Sequence, residues 1–296
     1  QPAAFFVFID IRFRKPTMTN PNANANANDP HRVRLIQVQS WHDVGKHLRR
    51  IVFHSPELAD YPFPCNGAPF KLLLPREGQS APVLPESFEK GRPRWANPAD
   101  KPYSRTYTVR AFDRQACTFT VDFVLHGDNG PASAFAHHVQ AGQAVGITAP
   151  RNTRDPMLLP AAEYLLVGDL TAVPAIQSML ADMAPDARGQ VILLLPEAAD
   201  LPADFACPPQ VAHSVFTGGS EQYPAVIAAA RQARPQSGNC YVWIAAEAGL
   251  TAPLRELARK EWQLPLGRCV AVPYWRMGEA EEAYHNKRHE FMDSDA

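Results

Sequence analysis

Tyr103-Ser104-Arg105-Thr106-Tyr107-Thr108-Val109-Arg110-Ala111-Phe112 is the stretch on which the fold turns. Tyrosine, threonine, valine and phenylalanine suit a pleated surface, so the stretch is predicted to be a β-strand. Side chains two apart share a strand face, which groups Arg105 with Tyr107 and Thr106 with Thr108. An arginine beside a tyrosine on one face offers a fork for phosphate and a flat ring for an aromatic ligand. An ordinary strand with an exposed arginine would carry the same four residues, so the flanking chain has to decide.

Upstream, residues 32–39, 48–53 and 69–75 each read as strands, the last closed by proline at both ends. Residues 76–102 are rich in proline, glycine and charge, and are expected to form a long surface loop of the kind that borders a site. Downstream come a strand over 117–125, a short helix over 134–142 ending at glycine, and a strand over 144–148. Many short strands with turns between them predict an antiparallel β-barrel. After Pro150-Arg151 the pattern changes. Strands over 164–168, 190–195, 211–215, 240–246 and 269–272 are separated by amphipathic helices over 171–183, 223–234 and 251–262. Such alternation predicts a parallel sheet with helices on both faces. The expected organisation is a first domain over 31–155, a second over 160–278, and a charged helical tail over 279–296. Residues 1–30 contain an Asn-Ala repeat that cannot build a core and is expected to be disordered. Met18 is a plausible natural start, with residues 1–17 lying upstream of it.

A chain of 296 residues with 46% apolar side chains has room for two such cores. Its net charge of −1 gives no global attraction to nucleic acid or to an anionic membrane. No apolar run reaches the ~20 residues of a membrane-spanning helix. The five cysteines are scattered, with no CxxC, which fits a reducing cytoplasm and signals neither a zinc nor an iron–sulfur site.

Three segments could carry chemistry. His126-Gly-Asp-Asn-Gly-Pro-Ala-Ser133 lies between a strand and a helix. Its glycines let the backbone approach a ligand, the helix start can hold an anion, and Ser133 could cap that helix. A plain turn reads equally well. Gly168-Asp-Leu-Thr-Ala-Val-Pro-Ala175 follows the first strand of the second domain, where ligands of such sheets gather, but it is not GxGxxG. Glu247 ends a strand on the same sheet edge and could face a ligand or cap the next helix. His137 and His138 are adjacent, so at most one faces a given site. His285 and His289 are one turn apart, with a solvated tail helix the simpler reading. No Gly-x-Ser-x-Gly elbow supports hydrolase chemistry.

Together these segments resemble the siderophore-interacting protein family, FAD-dependent ferric-siderophore reductases of the ferredoxin-reductase superfamily. The resemblance covers roughly 31–278. It rests on Phe70-Lys71-Leu-Leu-Leu-Pro75, Arg105-Thr-Tyr-Thr108, the 122–133 segment, Ala149-Pro-Arg151, the 168–175 turn, Ile244-Ala-Ala-Glu247 and Tyr274-Trp-Arg-Met-Gly278. It implies a flavin-binding β-barrel followed by a nicotinamide-type α/β domain. By that likeness Arg105 pairs with the FAD pyrophosphate, Tyr107 packs on the flavin and ribityl region, and Thr108 sits near flavin N5. His126, Gly127, Gly130, Pro131, Ala132 and Ser133 run along the rest of the FAD, and Thr171 and Ala172 approach the isoalloxazine from the second domain. Lys71 and Arg151 match two basic anchors for the ferric siderophore, and Arg268 or Arg276 supplies a third. Cations at the mouth would hold anionic ferric complexes beside the flavin. The sequence departs from the family pattern at Leu170, Ala246 and Pro273, which bears on how the electron donor docks.

The implied activity is reduction of a ferric siderophore to the Fe(II) complex in the cytoplasm, with NAD(P)H or a ferredoxin as donor. Electron transfer needs no acid or base, so no catalytic residue is assigned. A siderophore carrier with a vestigial flavin site, and a reductase component serving a partner protein, are the alternatives. No repeat or coiled coil suggests assembly, and a monomer is expected.

Overall fold

The structure is a computed structural model that describes residues 31–89, 92–128, 130–150 and 157–279, together with Tyr284, Lys287, Arg288 and 290–292. Its first unit is built on seven strands of one antiparallel sheet: β1 (Arg34–Gly45), β2 (Leu48–His54), β3 (Pro69–Leu74), β6 (Tyr103–Thr108), β7 (Ala111–Asp113), β8 (Thr118–Val124) and β9 (Ala144–Ile147). Two further strands, β4 (Ser87–Glu89) and β5 (Arg92–Arg94), form a separate small hairpin. The expected long loop over 76–102 therefore carries a hairpin. Trp95 helps pin it, donating its indole N–H to the Val83 carbonyl at 2.8 Å.

The seven-stranded sheet runs β6-β3-β9-β1-β2-β8-β7, so consecutive strands β6 and β7 lie on opposite edges. Only Val109 and Arg110 join them. Val109 N–H donates to Ala68 O beside β3, and Arg110 N–H donates to Thr120 O on β8. Two residues span well under 10 Å, so the sheet must curl until its edges meet. This closure is what makes the sheet a barrel. Alternation along β1, β2 and β8 fills the interior with Ile36, Val38, Ile51, Phe53, Phe119, Val121 and Phe123, all buried.

β1 extends beyond the expected strand. Its far end pairs with β2, with Trp41 opposite Ile51 and Gly45 opposite Leu48, and β2 in turn pairs with β8 along its whole length. This end of the sheet lays Leu48 and Val44 into the core of the second unit, while residues 39–43 of β1 are exposed.

The second unit is a five-stranded parallel sheet of β10 (Glu163–Asp169), β11 (Arg188–Leu195), β12 (Gln210–Thr217), β13 (Cys240–Glu247) and β14 (Cys269–Trp275), ordered β12-β11-β10-β13-β14. Helix α2 (Val173–Asp182) covers one face with this end of the first unit's sheet; α3 (Tyr223–Gln232) and α4 (Ala248–Glu256) cover the other. Burial on both faces explains why β10, β11 and β13 are nearly continuous apolar runs. The order reverses between β10 and β13, which opens a crevice at their carboxyl ends.

Two helix starts differ from expectation. α1 (Pro131–His137) begins before residue 134, because Pro131 is preorganised for the first helical position. α4 begins at Ala248 because Glu247 caps it, accepting from Gly249 N–H.

Candidate functional site

From Ala111, which pairs with Thr120 of β8, the chain runs back through Val109 and Arg110 into β6, which comes beside β8. The Tyr107 ring packs on Phe123 with centroids 4.5 Å apart, which agrees with that placement. The seam between β6 and β8 thus brings Tyr107 of the arginine strand to the strand that leads into the glycine loop. The two segments are about twenty residues apart in the chain, and barrel closure joins them.

The loop is shaped for a ligand rather than filled by side chains. Gly127 and Gly130 have φ of 79° and 147°, values that favour glycine. A Cβ on Gly130 would find only His126 Cε1 near it, at 3.9 Å. No side chain caps the start of α1. Ser133, considered as that cap, lies inside the first turn instead and accepts from His126 N–H at 3.0 Å, closing the loop from behind. Ala132 is buried. His126 is exposed, so its ring is open to a bound group. The two histidines at the end of α1 brace the loop: Gly127 N–H donates to His137 Nε2 at 3.3 Å, and His138 Nε2 lies 3.2 Å from the Asp128 carboxylate. An arginine fork, an aromatic ring, a buried hydroxyl at Thr108 and an open, positively twisted glycine loop fit a flavin dinucleotide.

Paired residues on β3 and β6 point the same way, so Lys71, opposite Thr106, shares a face with Thr106 and Thr108. The Lys71 ammonium donates to Thr106 Oγ1 at 2.7 Å. Thr108 is buried although Thr106 is exposed. The second unit contributes to this, because its Tyr274 side chain meets that of Thr108. Burial pushes the Tyr274 phenol up to about 12, so it stays protonated at neutral pH.

Tyr274 lies near the carboxyl end of β14, beside the crevice. There Asp169 and Glu247 end adjacent strands. Asp169 accepts from Thr171 N–H at 2.9 Å, from Glu247 N–H at 2.7 Å and from the Trp275 indole at 2.7 Å. Burial pushes its carboxyl upward, while these donors pull it down. Glu247 accepts from Tyr223 OH and Met277 N–H, both at 3.1 Å, besides its capping bond. Thr171 lies at the crevice, half-buried. Ala172 is fully buried, and the Cβ of an alanine at 168 would come within 2.6 Å of its own Cβ. Ala172 thus offers no exposed surface to a ligand, in contrast to its expected approach to the flavin.

The three expected cations that the structure describes, Lys71, Arg268 and Arg276, do not converge as a group. Lys71 lies on the Thr108 face, and Arg276 follows β14 at the crevice, half-exposed and 3.4 Å from Glu279. Arg268 precedes β14 and donates to Pro160 O at 3.0 Å. The seven residues of β14 span roughly 20 Å, so Arg268 sits at the opposite end of the sheet and is corrected out of the set. Arg151, His285 and His289 fall outside the described residues. Among the described residues no cluster could hold a metal ion, and no helix is long and apolar enough to cross a membrane.

Sequence reasoning missed Asp169, Tyr274 and Trp275 as site residues. The first lies inside the quoted 168–175 turn, and the others inside 274–278. The signal present was a carboxylate at a strand end and two aromatics at another, but their meeting depends on strand order.

Residues 37–154 match the family model of the siderophore-interacting FAD-binding domain, and residues 161–278 match that of the siderophore-interacting protein. The ferric vibriobactin reductase ViuB of Vibrio cholerae is 31% identical over 255 residues, covering 85% of this chain and 92% of that protein. The siderophore-interacting protein SipS from Aeromonas hydrophila is 42% identical in a superposition with a TM-score of 0.80, over 89% of this chain and 99% of that one. A phthalate dioxygenase reductase, 13% identical with a TM-score of 0.54 over 80% of this chain and 67% of that one, shares the fold.

Proposed function

This chain belongs to the siderophore-interacting protein family, and we propose that it is an FAD-dependent ferric-siderophore reductase. Electrons from NAD(P)H or a ferredoxin reach Fe(III), and the Fe(II) formed is released in the cytoplasm. Bound FAD supplies the chemistry that accepts an electron pair and delivers electrons singly, one to each of two ferric complexes. The chain's part is to hold and orient. Arg105 and the 126–133 loop would bind the phosphates, Tyr107 would pack on the flavin, and the Thr108 hydroxyl would meet the ring. Thr171 would border the flavin from the second unit. Lys71, Arg151 and Arg276 would attract the anionic complex and keep it beside the ring.

The observation that carries this reading is the meeting of the Tyr274 and Thr108 side chains between the two units. It joins the barrel strand and the sheet crevice into one site, flanked by Lys71 and Arg276. The test is the visible spectrum of the purified protein, followed by anaerobic reoxidation of its reduced flavin with anionic ferric siderophores. Flavin absorbance and reoxidation are expected. Reduced flavin that persists unchanged across a range of ferric complexes would overturn the reductase reading.

A further inference from the structure

Asp169 is buried at the end of β10, and both its oxygens are filled. One accepts from the Thr171 amide and, at 2.5 Å, from the Thr171 hydroxyl; the other accepts from the Trp275 indole and the Glu247 amide. A carboxylate has about four lone-pair sites, and four donors take them. Protonation would turn one oxygen from acceptor to donor and set it against an N–H or O–H already pointing at it. Hydrogen bonding therefore favours the ionised form and opposes the upward push of burial, the largest influence on the group. All four donors are neutral, and no cation is among the groups that perturb it.

An enclosed carboxylate satisfied only by dipoles keeps its full charge in a region that water does not screen. Its donors lie along the crevice. Thr171 stands where the second unit meets the barrel, and Trp275 is the chain neighbour of Tyr274, whose side chain meets Thr108. Trp275 keeps 39% of its surface exposed while its indole N–H is fixed from below. The ring is thus a wall of the site in a set orientation.

Resting on the flavin reading above, we propose that Asp169 is the positioning and charge-setting residue of the redox site: it fixes Thr171 and Trp275, and its charge makes the bound flavin harder to reduce. A negative charge near the ring opposes adding electrons to it, so the reduced flavin becomes a stronger donor to Fe(III).

The test is the midpoint potential of FAD bound to the full chain, read by anaerobic equilibration with a reference dye. Asp169→Asn removes the charge and keeps the shape, and its potential should move to a more positive value. Trp275→Phe removes one of the donors that favour the ionised carboxylate, so protonation becomes easier and the potential should also move to a more positive value, by less than in Asp169→Asn. Trp275 is partly exposed, so its variant is the second measurement should Asp169→Asn not fold. Shifts of the same sign, larger for Asp169→Asn, support the assignment. Asp169→Asn holding FAD at the wild-type potential, or Trp275→Phe that shifts it negative, overturns it. A wild-type chain that takes up no FAD overturns the flavin reading itself, and that result is seen before any variant is compared.

Discussion

Gly168→Ala is expected to loosen the start of α2, and with it the residues on either side, Asp169 and Thr171. The added Cβ would lie 2.6 Å from Ala172 Cβ, 2.9 Å from Ile176 Cδ1 and 3.1 Å from Ala245 O. Carbon atoms in contact normally stand about 3.5–4 Å apart. The Ile176 methyl can rotate away. Ala172 Cβ has no rotamer, and Ala245 O is a sheet carbonyl, so relief on those sides requires backbone movement. Overpacking of this kind costs about 1–3 kcal/mol, and two rigid neighbours put it at the upper end, near ~3 kcal/mol. The lost backbone freedom of glycine in the unfolded chain offsets about 0.5–1 kcal/mol. The net is about 2 kcal/mol, or roughly a 1 M lower urea midpoint for an m-value near 2 kcal/mol/M. The assay is urea unfolding of wild type, Gly168→Ala, Ala172→Gly and the double variant. Ala172→Gly alone should cost about 1–2 kcal/mol, from helix propensity and a lost buried methyl. The pair should be less harmful than the sum by about 1 kcal/mol or more, since deleting Ala172 Cβ removes the closest clash. Strict additivity, or a Gly168→Ala midpoint equal to wild type, would refute the packing argument.

Arg105→Ala should purify with markedly less FAD than wild type, read from the ratio of flavin to protein absorbance; full occupancy would mean that the phosphates are bound elsewhere. Lys71→Ala and Arg276→Ala should each raise the KM for an anionic ferric complex several-fold with little change in kcat, and less so at high salt. Arg268→Ala, at the far end of β14, should leave KM unchanged, and a rise equal to that of Arg276→Ala would contradict the end-to-end separation. Asp60 sits between Arg32 and Arg34, and these guanidiniums hold its carboxyl down at about 2. A folded value below the unfolded one means stability present above about pH 4 and lost as pH falls toward 2. Asp60 is half-exposed, so the effect is about 1 kcal/mol at most. The gap in urea midpoint between wild type and Asp60→Asn should close over that window, and a gap that persists at pH 2 would show a different cause.

The two-unit order of strands and helices was readable because its signals are local. Proline at both ends of β3, the alternation in β8 and the apolar runs of β10 and β13 each act within a few residues. The extension of β1 was not readable, because its residues 39–43 are exposed and carry no buried alternation, and only Val44 and Leu48 pack on the second unit. The glycine loop was recognisable as a backbone device, yet the bracing by His137 and His138 was not, since it depends on where a short helix ends. Glu247 could be read as cap or ligand until its capping bond to Gly249 was seen.

The sequence by itself determined the fold class, the arginine strand and the glycine turn, because propensity, proline and glycine operate over neighbouring residues. Tertiary structure alone decided which of these meet. Barrel closure through Val109–Arg110 brings Tyr107 of the arginine strand onto Phe123 of the strand that leads into the glycine loop. The strand order β10-β13-β14 collects Asp169, Glu247 and Trp275 at one crevice, and the docking of the two units lays Tyr274 on Thr108. The same sheet sends Arg268 and Arg276 to opposite ends, because in a parallel strand direction along the chain becomes position in space. Register and strand order come from packing between distant segments, and no local pattern encodes them.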